Sequence, residues 1–89
     1  MAEKRAVVTA HAKSRLAREK AYSIDERTLI KTVRRPDEIV RGEGSRFIAH
    51  KVLDETYILR VVYEETGNKL EIVTFYRAKK KRYYRGDLR

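Results

Sequence analysis

The stretch "YILRVVYEETGNKLEIVTFY", residues 57–76, decides the fold. It contains two runs of alternating apolar residues, Tyr57 to Tyr63 and Leu70 to Tyr76, and such alternation is typical of β-strands. Between them lies "TGN" at 66–68, whose Gly and Asn accept the positive φ angles of a tight turn. The stretch therefore predicts an antiparallel hairpin.

The alternation also predicts which side chains of the hairpin face the core. With a two-residue turn, the face expected to pack under helices contains Tyr57, Leu59, Val61, Tyr63, Leu70, Ile72, Thr74 and Tyr76. The opposite face, which tolerates water or a polar ligand, contains Ile58, Arg60, Val62, Glu64, Glu71, Val73, Phe75 and Arg77. A bulge in either strand would shift this register.

Strand and helix signals alternate before the hairpin. Residues 6–8 form a short apolar run typical of a strand, and Thr9 could cap a helix that begins near Ala10. Ser23 and Glu26 have capping-box spacing, which predicts the start of a second helix. That helix should end just before the only proline, because proline disfavours helical geometry in the residue preceding it.

Residues 47–53 alternate again, and "DET" at 54–56 is short enough for another hairpin. Together these elements predict an α+β domain over residues 1–77. Two N-terminal helices would pack on one face of an antiparallel sheet of four to five strands. Residues 78–89 are predicted to form a basic, aromatic C-terminal tail.

Composition excludes several classes of protein. The 89 residues suffice for one compact domain, and the absence of cysteine excludes disulfides, thiol nucleophiles and cysteine-ligated zinc. No run has the apolar length of a signal peptide or of a membrane helix, which needs about 20 residues. The sequence predicts a cytoplasmic protein with no membrane partner, no metal site and no cofactor.

The net charge of +9 is concentrated at the two chain ends. Residues 77–89 contain seven Lys or Arg against one Asp, and residues 1–20 contain six against two Glu. Residues 21–76 are close to neutral. Such an uneven distribution favours a polyanionic partner, and the tyrosines among the C-terminal cations add rings that can stack on unpaired bases.

The chain resembles small proteins related to the RelE/ParE and BrnT toxins of type II toxin-antitoxin systems. The similarity lies in "VVTAHAKSRLAREK" near the N-terminus, in "RRPDEIV" after the second helix, and in the hairpin "YILRVVYEETGNKLEIVTFY". It implies a compact domain related to metal-independent ribonucleases, which cut RNA through attack by the ribose 2′-hydroxyl and are silenced by an antitoxin. It maps His11, Arg15, Arg18, Thr74 and Tyr76 as site positions.

Chemistry adds reasons for these and other residues. His11 lies at a predicted helix start and could transfer a proton or contact phosphate, although it could also simply cap the helix. Arg15 follows one turn later and could clamp a phosphate or pair with nearby acids. Arg60 could stabilise transition-state charge or pair across the hairpin with Glu71 or Glu64. Tyr76 could serve as an acid or be a plain strand residue.

The predicted catalytic set is thus His11, Arg15, Arg60 and Tyr76. The predicted RNA-binding set is Arg18, Lys51, Arg77, Lys79, Lys80, Lys81, Arg82, Tyr83, Tyr84 and Arg85. The first hypothesis is a metal-independent endoribonuclease toxin, acting on free or ribosome-associated mRNA and neutralised by a small acidic antitoxin. The alternatives are a non-catalytic RNA- or DNA-binding module and a protein-interaction domain that recruits an acidic chain.

Overall fold

A five-stranded mixed sheet forms the centre of this α+β structure. A computed structural model describes residues 4–18 and 24–86. The strands are β1 (Arg5–Val8), β2 (Glu38–Arg41), β3 (Arg46–Val52), β4 (Tyr57–Thr66) and β5 (Lys69–Lys79), in the order β1-β5-β4-β3-β2. The helices are α1 (Ala10–Arg18), α2 (Glu26–Arg34) and the short α3 (Lys80–Tyr83).

The prediction of a purely antiparallel sheet is wrong at one edge. β1 runs parallel to β5, with Arg5 opposite Lys69 and Val8 opposite Ile72, while the other neighbouring strands are antiparallel. Short turns fix the direction of strands that follow each other in sequence. β1 pairs instead with the strand farthest from it along the chain, so no turn sets its direction.

The central hairpin has the predicted two-residue turn but also contains a bulge. Gly67 has a φ of 61°, and Thr66 pairs with Lys69 across the turn. The register then shifts: Tyr63 pairs with Ile72, whereas Val62 pairs with Thr74. Because a bulge inserts one extra residue, every later side chain of β5 points to the face opposite the predicted one.

The bulge corrects the predicted faces beyond Ile72. Phe75 is 1% exposed and belongs to the core beneath α1 and α2, whereas Thr74 and Tyr76 lie on the other side of the sheet. We call the side that contains Phe75 the first face and the side that contains Arg60 the second face. Tyr76 pairs directly with Arg60, so the bulge brings these two residues together.

The core lies between the first face and helices α1 and α2. Its buried residues are Val8, Ala12, Ile24, Leu29, Val33, Ala49, Leu59, Val61, Tyr63, Ile72 and Phe75. Helix α2 presents Leu29 and Val33 to the sheet, four residues apart as the helical period requires. The sheet and these two helices therefore form the two layers expected of an α+β domain.

The helix ends follow the predicted signals in part. The Thr9 hydroxyl lies at the start of α1, 3.4 Å from the Ala12 amide nitrogen. The cap of α2 is Asp25, whose Oδ1 accepts from the backbone nitrogen of Thr28 at 2.9 Å, and this bond lowers the pKa of Asp25. The predicted partner Ser23 lies outside the described residues. Helix α2 ends at Arg34, shortly before the proline, as predicted.

The chain beyond β5 turns back over the second face rather than trailing from the sheet. β5 continues to Lys79, past the predicted domain boundary, and the backbone nitrogen of Lys80 donates to the Thr56 carbonyl at 2.8 Å. We call residues 80–86 the C-terminal segment. Across the described ranges, the helices are too short or too polar to cross a membrane.

Candidate functional site

Arg60 occupies the middle of the second face. It lies in β4 between His50 of β3 and Tyr76 of β5, and it is 7% exposed. The strand alternation predicted that Arg60 points away from the helices, and it does. A guanidinium so deeply buried requires partners, because burying a charge without them is costly.

A chain of hydrogen bonds runs from Glu38 through His50 to Arg60. Glu38 Oε2 lies 2.6 Å from His50 Nδ1, and Arg60 Nε donates to His50 Nε2 at 3.1 Å. Since Nε of arginine can only donate, His50 Nε2 must accept and the imidazole proton resides on Nδ1. His50 is fully buried, and burial lowers its pKa against the opposing effect of the hydrogen bond to Glu38. His50 is therefore neutral at neutral pH.

Two aromatic rings complete the surroundings of Arg60. Its guanidinium carbon lies 3.9 Å from the ring centroid of Tyr83 and 5.2 Å from that of Tyr76. Within the described part of the chain, no carboxylate lies within ion-pairing distance of Arg60. The rings offset part of the cost of the buried charge, but no anionic side chain of residues 4–18 or 24–86 neutralises it.

A cavity of about 590 Å³ opens between β2, the centre of the second face and the C-terminal segment. It is lined by Glu38, Ile39, Val40, Arg41, His50, Arg60, Arg82, Tyr83 and Arg85. The carboxylate of Glu38 already accepts from His50 and from the backbone nitrogen of Arg85, at 2.9 Å to Oε2. Among the described residues that line the cavity, arginines outnumber the one carboxylate. This cavity, which we call the second-face pocket, is therefore cationic.

The predicted catalytic set does not assemble. His11 is exposed on α1, which packs on the first face, so the sheet separates it from Arg60 and Tyr76. Arg15 also lies on the α1 side and has a structural contact: its Nε donates to the Phe75 carbonyl at 2.7 Å. β1 pairs with β5 only as far as Ile72, so the Phe75 carbonyl has no partner in β1. Arg15 supplies a hydrogen-bond donor to this carbonyl instead.

The predicted RNA-binding residues are divided between the faces. Arg18 ends α1, and Lys51 and Arg77 flank Leu59 on the first face. Arg77 and Lys79 lie over the Tyr57 ring, at 3.9 and 5.3 Å from its centroid. The C-terminal segment holds the others: Lys80, Lys81, Arg82, Tyr83, Tyr84 and Arg85. Arg18 at the end of α1 and the cations of the C-terminal segment therefore lie on opposite sides of the sheet.

Glu38 and His50 are the site residues that the sequence-based sets omitted. The sequence contained a signal for His50. If the loop at 53–56 joins two paired strands, residues equally distant from the loop lie opposite each other, and His50 then lies opposite Arg60. Glu38 pairs with His50 in the next strand. A histidine and an arginine at facing positions of two apolar strands indicate a buried polar cluster.

Acidification is expected to weaken the fold through His50. Because the pKa of His50 is lowered from its ordinary value of 6.5, the unfolded chain binds a proton there more readily than the folded chain. The free energy of unfolding should therefore be at its full value above about pH 6.5 and fall as the pH drops toward the folded pKa, by up to about 1.4 kcal/mol per pH unit.

Urea unfolding at several pH values between about 7.5 and 5 measures this effect. The control is His50→Gln, whose amide can donate to Glu38 and accept from Arg60 without titrating. The stability advantage of the unmodified protein over His50→Gln should shrink as the pH falls, because only the unmodified protein loses stability through this titration. Parallel pH profiles would contradict the assignment of this effect to His50.

The comparisons with known proteins give no relative. No family model, curated protein or solved structure matches this chain. Among the described residues, no group of three His, Asp or Glu side chains could hold a metal ion. Geometry and charge alone identify the second-face pocket, and a relation to the RelE/ParE and BrnT toxins stays a prediction from the sequence.

Proposed function

We propose that this protein binds RNA through the second face of its sheet, with a phosphate group of the strand at Arg60. The observation that carries the proposal is the guanidinium of Arg60, which is 7% exposed, lines a cavity and has no carboxylate partner among the described residues. Its Nε is held by His50, which leaves the two terminal nitrogens as donors. Paired donors of this kind match the oxygens of a phosphate.

The energetics favour an anionic ligand over an empty pocket. A buried ion costs several kcal/mol, about 2 kcal/mol of which a desolvated cation–π contact offsets. A phosphate adds charge-assisted hydrogen bonds of about 1.5–3 kcal/mol each. The hydrogen bond to His50 restricts rotation of the guanidinium, so the Arg60 side chain loses little further conformational entropy when a ligand binds.

Size and surroundings favour a nucleotide chain as the source of that phosphate. The 590 Å³ cavity falls within the range of about 300–1,000 Å³ typical of small-ligand sites, so a nucleotide fits. Arg82 and Arg85 line the cavity, and Tyr83 and Tyr84 lie in the same segment. Cations interleaved with aromatic rings are typical of single-strand binding surfaces.

Removal of Arg60 should abolish most of this binding. For a fluorescently labelled single-stranded RNA of about ten nucleotides, we expect Arg60→Met to weaken binding at least about tenfold, because it removes more than one charge-assisted hydrogen bond. Fluorescence anisotropy at low ionic strength measures the affinity.

The matched control is Arg46→Met. Arg46 lies on the same face but outside the second-face pocket, where its Nε contacts Glu64 at 3.1 Å. This change should alter affinity about twofold or less, as expected for loss of one peripheral charge. Equal losses in the two variants would contradict a phosphate site at Arg60, and no binding by the unmodified protein would end the proposal.

A second candidate is metal-independent cleavage of the bound RNA, favoured by the Glu38–His50 pair. His50 is neutral and Glu38 orients it, which is the arrangement of a general base. In this candidate, unlike in binding alone, the hydrogen bond from Arg60 Nε to His50 Nε2 breaks, and His50 Nε2 takes the proton of the ribose 2′-hydroxyl. The 2′-oxygen would bond to phosphorus as the bond to the 5′-oxygen breaks, and a hydroxyl such as that of Tyr83 would protonate the leaving oxygen.

Incubation of RNA with the protein and EDTA tests cleavage. The cleavage candidate predicts a 2′,3′-cyclic phosphate and a 5′-hydroxyl as products, with rates reduced at least about a hundredfold in His50→Gln, since a positioned base contributes about 10²–10⁴. His11→Ala should leave the rate unchanged, because His11 lies across the sheet. Intact RNA would leave binding as the function.

The toxin hypothesis adds a protein partner. We propose that a small acidic protein would silence such an activity by covering the cationic C-terminal segment, whose described cations include Lys80, Lys81, Arg82 and Arg85. Competition between that protein and RNA is the expected result, because both would neutralise the same charges.

A further inference from the structure

We infer that the second-face pocket is selective for a terminal phosphate monoester, carried at the end of an RNA strand or by a mononucleotide. This inference rests on the proposed function, since it names the part of the RNA that enters the pocket. An internal phosphodiester carries one negative charge, whereas a terminal phosphate carries nearly two at neutral pH. The distinction therefore depends on how much positive charge the pocket presents.

The charge of the pocket matches a dianion. Four arginines border it against the carboxylate of Glu38, but the guanidinium of Arg41 lies over the Phe47 ring, toward the first face. Arg60, Arg82 and Arg85 remain as the cations of the pocket. That carboxylate is committed to His50 and to the Arg85 backbone nitrogen, so it is not available to neutralise Arg60. Among the described residues, three cations facing one anion leave an excess of two positive charges, equal to the charge of a fully ionised phosphate monoester.

The walls of the pocket also suit a chain end. The strands supply the floor at His50 and Arg60, β2 supplies one side, and the C-terminal segment supplies another through Tyr83. The segment is fixed at both ends of its path, by the bond from Lys80 to Thr56 and by the bond from the Arg85 nitrogen to Glu38. A phosphate at the end of an RNA strand can enter such a recess, because the RNA does not have to continue beyond it.

The charges at the floor of the pocket also favour a terminal phosphate. His50 is held neutral by burial and by its acceptor role toward Arg60, so it adds no charge of its own. Arg60 therefore supplies the fixed positive charge at depth, and Arg82 supplies a second, exposed one nearer the solvent. Two guanidiniums at different depths can contact different oxygens of one phosphate group.

Three RNA strands of identical sequence test the inference: one with a 5′-phosphate, one with a 3′-phosphate and one with hydroxyls at both ends, each labelled internally. We expect one of the phosphorylated strands to bind about tenfold more tightly than the unphosphorylated strand, as one additional charge-assisted contact predicts. The better of the two identifies the end that is recognised. AMP with the phosphate at the matching position should compete, whereas adenosine should not.

Arg82→Met and Arg46→Met provide the matched variants. Arg82→Met should remove most of the preference for the phosphorylated strand, and Arg46→Met, outside the pocket, should retain it. Circular dichroism checks that both variants are folded. Equal affinity for all three strands would overturn the selectivity while leaving RNA binding in place. Absence of binding to every strand would overturn both proposals.

Discussion

Phe75→Ala is expected to lower the free energy of unfolding by about 3–5 kcal/mol, the range for removing a buried aromatic side chain. Phe75 is 1% exposed and packs in the core beneath α1 and α2. Alanine would leave a cavity that β5 cannot move to fill, because β5 is paired with β1 on one side and with β4 on the other. The guanidinium of Arg15, 5.8 Å from the Phe75 ring centroid, would lose that contact too.

The neighbouring residue provides the control. Thr74 is half-buried on the second face, so Thr74→Ala should cost about 1 kcal/mol or less. Urea unfolding of the two variants compares the faces directly. Without the bulge, Thr74 would occupy the core and Phe75 the opposite face. A larger loss in Thr74→Ala than in Phe75→Ala would therefore contradict the register of β5.

His50→Leu is expected to lower the free energy of unfolding by about 2–5 kcal/mol, even though leucine is apolar and similar in size. The change leaves Arg60 Nε without its acceptor and removes the donor to Glu38. Leaving a buried polar group unpaired costs about 1–3 kcal/mol, and more if the group is charged. RNA affinity should fall with stability, because Arg60 is no longer held in place.

His50→Gln separates the two effects of that change. Its amide can bond to both neighbours, so at about pH 7.5 we expect a loss of stability about half that of His50→Leu or smaller, with RNA binding retained. If His50→Leu proved as stable as the unmodified protein, the chain of hydrogen bonds would not be a stabilising element. If His50→Gln lost RNA binding while remaining folded, His50 would have a role beyond positioning Arg60.

The parts of the fold that could be predicted from the sequence depend on local signals. The two-residue turn at Gly67, the strand pattern of the hairpin and the stop of α2 before proline follow from residues close together in sequence. The parallel pairing of β1 with β5 does not, because it joins distant segments. The bulge at Val73 cannot be predicted from the alternation, since "EIVTFY" contains apolar residues at both odd and even positions.

The residues of the candidate site were likewise predictable only where local sequence signals place them. Arg60 was predictable because an arginine inside an apolar strand is unusual, and its face followed from the alternation. His11 was placed with it on resemblance, but α1 lies on the other side of the sheet. Tyr76 reaches Arg60 only through the bulge. The fold-back of the C-terminal segment includes the bond from the Arg85 nitrogen to Glu38, a contact between residues far apart in sequence.

An NMR titration with short single-stranded RNA tests the central claim most directly, because it reports where on the molecule the strand binds. We predict that the Arg60 Nε–H resonance, the His50 ring and the backbone amides of the C-terminal segment shift on addition of RNA, while the amides of α1 do not. Shifts confined to α1, around His11 and Arg18, with an unchanged Arg60 resonance would contradict the account.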